Sequence, residues 1–102
     1  MTAECDLFRA CVRQRSEEDL DYFMTAASPG IIATTMLNAF YDSHEAYVLA
    51  LAEQMRCEYE YIHSQGFLLQ LDAPDLAMER TWLFKDQTKV EFNKTLELHV
   101  HA

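Results

Sequence analysis

An acidic residue follows the most apolar stretch of this sequence. Residues 67–71 read Phe-Leu-Leu-Gln-Leu, Asp72 comes next, and Pro74 stands two residues further on. The run predicts a strand buried on both faces, as in parallel sheets that helices cover, and Pro74 prevents the strand from continuing. Because α/β proteins bind ligands at the carboxyl ends of such strands, Asp72 is predicted to bind substrate. The alternative is that Asp72 caps the turn before Asp75.

A second candidate position lies in the segment Ser28-Pro29-Gly30. This segment follows another predicted strand, so Ser28 is predicted to line the same edge of the sheet as Asp72 and to contact the same ligand. The alternative is a simple turn, in which Ser28 begins the chain reversal and Gly30 relieves backbone strain.

The remaining residues that could do chemistry do not form a site by their spacing. His99 and His101 resemble a metal chelate, yet on a helix residues two apart point about 200° from each other, so they are predicted to form a frayed helix end. His44 and His63 are predicted to be solvated helix residues. Cys57 follows Arg56, which could lower the pKa of its thiol, but a structural cysteine is the more common case. No metal ligand and no catalytic nucleophile is therefore predicted.

Hydrophobic periodicity and breakers predict a mainly helical chain with two short strands. The long helix of residues 43–65 should begin at a capping box formed by Asp42 and Glu45 and end at Gly66. A strand on each side of this helix predicts a right-handed parallel βαβ unit. The other predicted segments are a helix at 3–15, a charged connector at 16–21, a strand at 22–26, a loop at 27–30, a short helix at 31–37, a turn or helix at 75–80, an apolar link at 81–84, and a helix at 89–101 behind a Thr88–Glu91 capping box.

Composition limits the classes of partner and the compartment. The 102 residues carry 8 basic and 17 acidic side chains, a net charge of −9, which disfavours nucleic acid and anionic membrane surfaces as partners. No stretch approaches the ~20 apolar residues that span a bilayer. An odd number of cysteines, with no apolar leader before the first, predicts a reducing, cytoplasmic location.

Two segments resemble a known family. Residues 23–30 (FMTAASPG) and 70–77 (QLDAPDLA) resemble the cobalamin-independent methionine synthase family, and most closely its short single-domain relatives. The resemblance implies a TIM-type (β/α)₈ barrel that transfers a methyl group from methyltetrahydrofolate to the thiol of homocysteine in methionine biosynthesis. It also implies a zinc ion that holds this thiol as a thiolate, and it places Asp72 where the family binds the amino group of its amino-acid substrate.

The chain departs from the family in two respects. A full barrel takes ~250 residues, so residues 1–102 are predicted to form a single partial barrel domain of about two βα units with flanking helices. The family's zinc ligands lie beyond the matched segments, and Ala73 replaces a glutamate of its motif. Whether the chain is an enzyme is uncertain, and alone it is predicted to be inactive. Two alternatives stay open: a non-catalytic fragment that self-associates through exposed strand edges, and an independent α/β binding module whose helices cover both sheet faces.

Overall fold

A computed structural model describes residues 1–15 and 20–102 of the chain, and residues 16–19 of the predicted charged connector lie outside it. The described residues form five α-helices, one 3₁₀ turn and two strands. In chain order these are α1 (Thr2–Arg13), β1 (Phe23–Ala27), α2 (Pro29–Thr35), α3 (His44–Ser64), β2 (Leu68–Asp72), α4 (Asp75–Met78), the 3₁₀ turn (Glu79–Thr81) and α5 (Lys89–His101).

The two strands lie side by side and run in the same direction. Phe23 is opposite Leu68 and Ala27 is opposite Asp72, so both carboxyl ends meet at one edge of the sheet. The predicted parallel unit, in which the long helix α3 connects two strands, is therefore confirmed.

The predicted partial barrel is wrong. Within the described residues the sheet has two strands and stays open, and most of the structured residues are helical. In a barrel, each βα unit places a new strand beside the previous strand. Within the described residues, neither α1 nor α5 is accompanied by a further strand. Instead, α1 contributes Cys5 to the apolar core, and α5 packs on the fold through Phe92 and His99.

The apolar core covers one face of this sheet. Its buried members come from α1, β1, α3 and the residue before β2, namely Cys5, Ala26, Ile62 and Phe67. Met24 and Leu69 pack against them from the strands. These strand residues share one face because successive side chains of a strand point to opposite sides.

The opposite face of the sheet is uncovered, and we call it the open sheet face. It consists of Phe23 and Thr25 from β1 and Leu68 and Gln70 from β2, all of which are exposed to solvent. The prediction that β2 is buried on both faces is therefore wrong. The apolar run gave no indication of sidedness, because it contains the exposed Leu68 and Leu71 as well as Leu69, which packs against the core.

Local signals placed the end of α3 and the start of α5, but not every helix end. The helix α1 ends at Arg13 and not at residue 15, and α2 spans Pro29–Thr35, so that it begins inside the predicted loop 27–30 and not at residue 31. Gly66 ends α3 with φ of 83°, the left-handed conformation that favours glycine. The capping box of Thr88 and Glu91 at the start of α5 is present as predicted. The N-cap of α3 is Ser43, whose hydroxyl accepts from the Ala46 N–H at 3.1 Å, and not the predicted Asp42.

The long helix α3 is amphipathic and carries charge on its outer side. Val48 and Ile62 are buried, whereas Glu53 and Arg56 form an exposed ion pair at 3.0 Å. Among the helices that the structure describes, none combines the length and the apolar content needed to cross a membrane.

Candidate functional sites

The structure brings the predicted site residues Ser28 and Asp72 together through their backbones. The N–H of Ser28 donates to the carbonyl oxygen of Asp72 at 3.0 Å, which extends the pairing of the two strands by one bond. The carboxylate of Asp72 is exposed, whereas Ser28 is buried. Substrate binding by these two residues stays a prediction, and their side chains do not share a hydrogen bond.

The Ser28 side chain makes two hydrogen bonds at the start of α2. Its hydroxyl oxygen accepts from the N–H of Ile31 at 3.2 Å, so Ser28 is the N-cap of this helix. Its O–H donates to Oδ1 of Asp75 at 3.1 Å. Ser28 therefore links the end of β1 to a carboxylate at the start of α4 rather than to solvent.

Asp75 and His99 form a buried pair. Oδ2 of Asp75 lies 2.7 Å from Nδ1 of His99, and both side chains are 1% exposed. Ser28 occupies the other carboxylate oxygen. Burying a carboxylate is costly unless hydrogen bonds satisfy it, and here each oxygen has a donor. The hydrogen bond to Asp75 also places a proton on Nδ1 of His99 and leaves Nε2 to a different partner.

That partner is His44, the first residue of α3. The Nε2 atoms of His44 and His99 lie 2.8 Å apart, and the ring of Phe84 packs edge-on against both imidazoles, with centroids 5.5 and 6.2 Å away. His44 is half-buried. Desolvation, together with the proximity of His99, holds the pKa of His44 below its usual value near 6.5.

The four side chains therefore make one hydrogen-bonded chain, which we call the buried polar chain: Ser28, Asp75, His99 and His44. It joins the N-termini of α2, α3 and α4 to the last turn of α5. In chemical terms it positions a carboxylate, an imidazole of fixed orientation and a second imidazole that is partly accessible to solvent. Such an arrangement can hold a proton or pass one between its two rings.

Gly30 is needed where α2 approaches this chain. A Cβ atom at Gly30 would lie 2.6 Å from Nδ1 of His99 and would collide with Oδ2 of Asp75. The predicted role of Gly30, relief of backbone strain in a turn, is not what the structure shows. Gly30 lies in the first turn of α2, and its lack of a side chain makes room for the buried pair.

Sequence reasoning missed this arrangement. His44 was predicted to be solvated and His99 to belong to a frayed helix end, and both predictions are wrong. A usable signal existed in α5, since Phe92 and His99 are seven residues apart, lie on one face of the helix, and are both buried. Val90 and Val100 of the same helix are exposed.

The zinc ion that the family resemblance implies can be tested against the side chains present. Across residues 1–15 and 20–102, no three or more His, Cys, Asp or Glu side chains are arranged to hold a metal ion. Zinc takes four ligands in structural sites and three protein ligands in catalytic ones. The described side chains therefore do not fit the zinc site of that family.

Comparisons of the chain with family models, with curated proteins and with solved structures gave no match.

Proposed function

We propose that this chain acts by protein association, and that its working form is a dimer in which two copies pack through their open sheet faces. The proposal rests on the open sheet face, where two large hydrophobic side chains, Phe23 and Leu68, are exposed and no described element covers them. Two sheets that pack face to face are a common solution to such exposure.

The open sheet face has the composition of an interface rather than of an ordinary surface. Phe23 is 57% exposed and Leu68 is 60% exposed, and they lie opposite each other in the strand register. The neighbouring pair, Thr25 and Gln70, is polar and uncharged, and the exposed Asp72 carboxylate lies at the carboxyl end of the same face. Interface cores are enriched in aromatic residues, as Phe23 is here, and the surrounding rim is polar.

The area that the chain exposes is consistent with a missing partner. A compact monomer of 11.9 kDa exposes about 5,900 Å², whereas this chain exposes 7518 Å². Its radius of gyration is 16.6 Å, against about 13 Å for a compact domain of this length. The excess of about 1,600 Å² goes with an elongated fold, 52 × 25 × 19 Å, which leaves surface available to a partner.

Packing of two open sheet faces would cover the exposed Phe23 and Leu68 side chains. Pairing through a strand edge, which the sequence predicts as the route of self-association, would not cover Phe23. By the parallel register, the N–H and C=O groups of Leu69 and Leu71 point away from β1, and no described residue pairs with them. At the other edge, the Tyr59 hydroxyl donates to the Ala27 carbonyl at 2.6 Å. Pairing through this short β2 edge would leave Phe23 uncovered.

Charge predicts how the dimer responds to salt. Each copy carries a net charge of −9, so two copies repel each other at long range while the exposed Phe23 and Leu68 side chains attract at contact. Salt screens the repulsion, with a Debye length of about 10 Å at 0.1 M. Self-association should therefore become tighter as the salt concentration rises, whereas binding to a basic partner would become weaker.

The test is light scattering after size-exclusion chromatography, on the wild-type chain and on two matched variants. Leu68→Lys places a charge in the open sheet face, and Leu7→Lys places the same charge on α1, where Leu7 is 69% exposed. We expect a dimer for the wild type and for Leu7→Lys, and a monomer for Leu68→Lys.

Two outcomes would contradict the proposal. One is a wild-type chain that stays monomeric and cooperatively folded at every salt concentration. The other is a dimer that Leu68→Lys leaves intact, because association would then use another surface, such as the edge of β2. Circular dichroism of each variant shows whether the fold is retained.

Methyl transfer to an amino-acid thiol, which the family resemblance implies, is a second candidate function. Asp72 supports it, because its exposed carboxylate stands at the carboxyl end of a parallel strand, where an ammonium group could pair with it. Calorimetric titration with homocysteine tests this candidate. Binding that Asp72→Asn abolishes and Asp21→Asn preserves would support it, and no binding to the wild type would contradict it.

A cytoplasmic location remains part of the proposal. The three cysteines, Cys5, Cys11 and Cys57, are all free, which suits a reducing compartment.

A further inference from the structure

The contact between His44 and His99 depends on how many protons the two imidazole rings carry. Their Nε2 atoms are 2.8 Å apart, a distance that requires one hydrogen between them, donated by one ring and accepted by the other. With both rings neutral, His44 donates to His99, whose Nδ1 proton is held by Asp75. With one added proton the contact persists as a charge-assisted hydrogen bond. With two added protons both Nε2 atoms carry hydrogen, and they can no longer approach each other.

From this geometry we propose that the two imidazoles form an acid-sensitive clasp, which holds α5 against α3 until a second proton enters the pair and then releases it. The clasp ties the buried His99 of α5 to the first residue of α3. Release separates α5 from α3 at this point, while Oδ2 of Asp75 continues to hold Nδ1 of His99 on the side of α4. The residues of the clasp are separate from those of the open sheet face, so the inference does not depend on the dimer.

The surrounding charges do not replace the missing contact. Asp75 faces His99 from α4, and α2 contributes the uncharged Ser28 and Gly30. The groove beside His44 is lined by titratable or charged side chains from α3 and α5, namely Glu45, Lys94, Glu97 and His101. None of these has a hydrogen bond to either imidazole among the described residues.

The direction of the pH dependence follows from the pKa of His44. Desolvation, and then the nearby His99, lower this pKa in the folded chain below its usual value near 6.5. Between the lowered value and 6.5 the released state therefore binds more protons than the clasped state. The clasp is at full strength above pH 6.5 and weakens as the pH falls below it.

Amide hydrogen exchange on the full chain tests the proposal. After correction for intrinsic exchange rates, protection of the α5 amides should fall by up to about tenfold per pH unit below pH 6.5, because one proton is taken up on each release. Amides in the middle of α3 should keep their protection over the same range.

Two matched variants separate the clasp from general acid effects. In His44→Gln the side-chain amide can donate to or accept from His99, so α5 should stay protected at low pH. His63→Gln removes an exposed histidine from the last turn of the same helix, and should lose α5 protection just as the wild type does. Equal pH dependence of α5 in the wild type and in His44→Gln would overturn the proposal.

Nitrogen-15 spectra of the histidine side chains test the clasp in the wild type, so that the outcome does not depend on whether His44→Gln folds. Above pH 6.5 the spectra should show one protonated and one bare Nε2 in the pair. Spectra that show no hydrogen bond between the two Nε2 atoms would contradict the clasp.

Discussion

The buried polar chain and the open sheet face treat their side chains in opposite ways. In the first, a carboxylate and an imidazole that would be costly to bury are both enclosed, and each polar atom has a partner. Among the described residues, no buried side-chain nitrogen or oxygen lacks a hydrogen bond. In the open sheet face, Phe23 and Leu68 are exposed to water, although burying such apolar side chains would be favourable.

This difference indicates which of the two regions is complete. A buried polar group without a partner costs about 1–3 kcal/mol, and the polar chain leaves none, so it needs no further component. Covering an apolar surface that is exposed to water is favourable by roughly 25 cal/mol per Å². The open sheet face is therefore the region where a second copy adds most.

The largest expected effect is in the polar chain. Asp75→Ala leaves both Ser28 and His99 without their buried acceptor, and should lower the free energy of unfolding by about 3–5 kcal/mol. Urea denaturation measures the loss, and Asp72→Ala serves as the control, because Asp72 is exposed at the end of β2. Equal effects of the two substitutions would show that the Asp75 carboxylate contributes no more to stability than the exposed Asp72 carboxylate does.

A smaller loss is expected at Gly30. Gly30→Ala forces a methyl group against the Asp75 carboxylate and Nδ1 of His99, and overpacking of this kind costs about 1–3 kcal/mol. The control is Gly66→Ala, where the added methyl group meets open space and the cost, about 1–2 kcal/mol, comes from the positive φ alone. Moreover, Gly30→Ala should shift the side-chain resonances of His99, which Gly66→Ala should leave unchanged.

The smallest effect on the folding of the single chain is expected at the open sheet face. Measured at a concentration where the protein is monomeric, Leu68→Gln should change the free energy of unfolding by less than about 0.5 kcal/mol. Ile62→Ala, on the covered side of the sheet, should cost about 2–5 kcal/mol. A large loss for Leu68→Gln under these conditions would mean that Leu68 already contributes to the folding of one copy.

How much of the structure the sequence could predict depended on the range of the interactions. The capping box at Thr88 and the left-handed Gly66 are local signals, and they predicted the start of α5 and the end of α3. The uncovered side of β2 was not predictable from the apolar run, because a run of apolar residues looks the same whether one face or both are covered. The resemblance to a barrel enzyme led to the wrong fold class.

The buried polar chain could not be predicted from local sequence patterns either, because its members are far apart in the sequence. His44 and His99 are 55 residues apart, and Asp75 and His99 are 24 apart. Only the docking of α5 brings these three side chains together, and no spacing within one helix or strand reports on it. Ser28 was singled out from its position after a strand, but its hydrogen bond to Asp75 was not foreseen. A ligand shared by Ser28 and Asp72 stays a prediction.

Isotope-filtered nuclear Overhauser spectra of a mixture of labelled and unlabelled chains show directly which side chains of two copies meet. If the open sheet faces pack together, magnetisation should transfer between copies from the methyl groups of Leu68 to the ring of Phe23. Contacts between copies that involve other leucines, such as Leu7, and not Leu68 would contradict it, as would the absence of any transfer between copies.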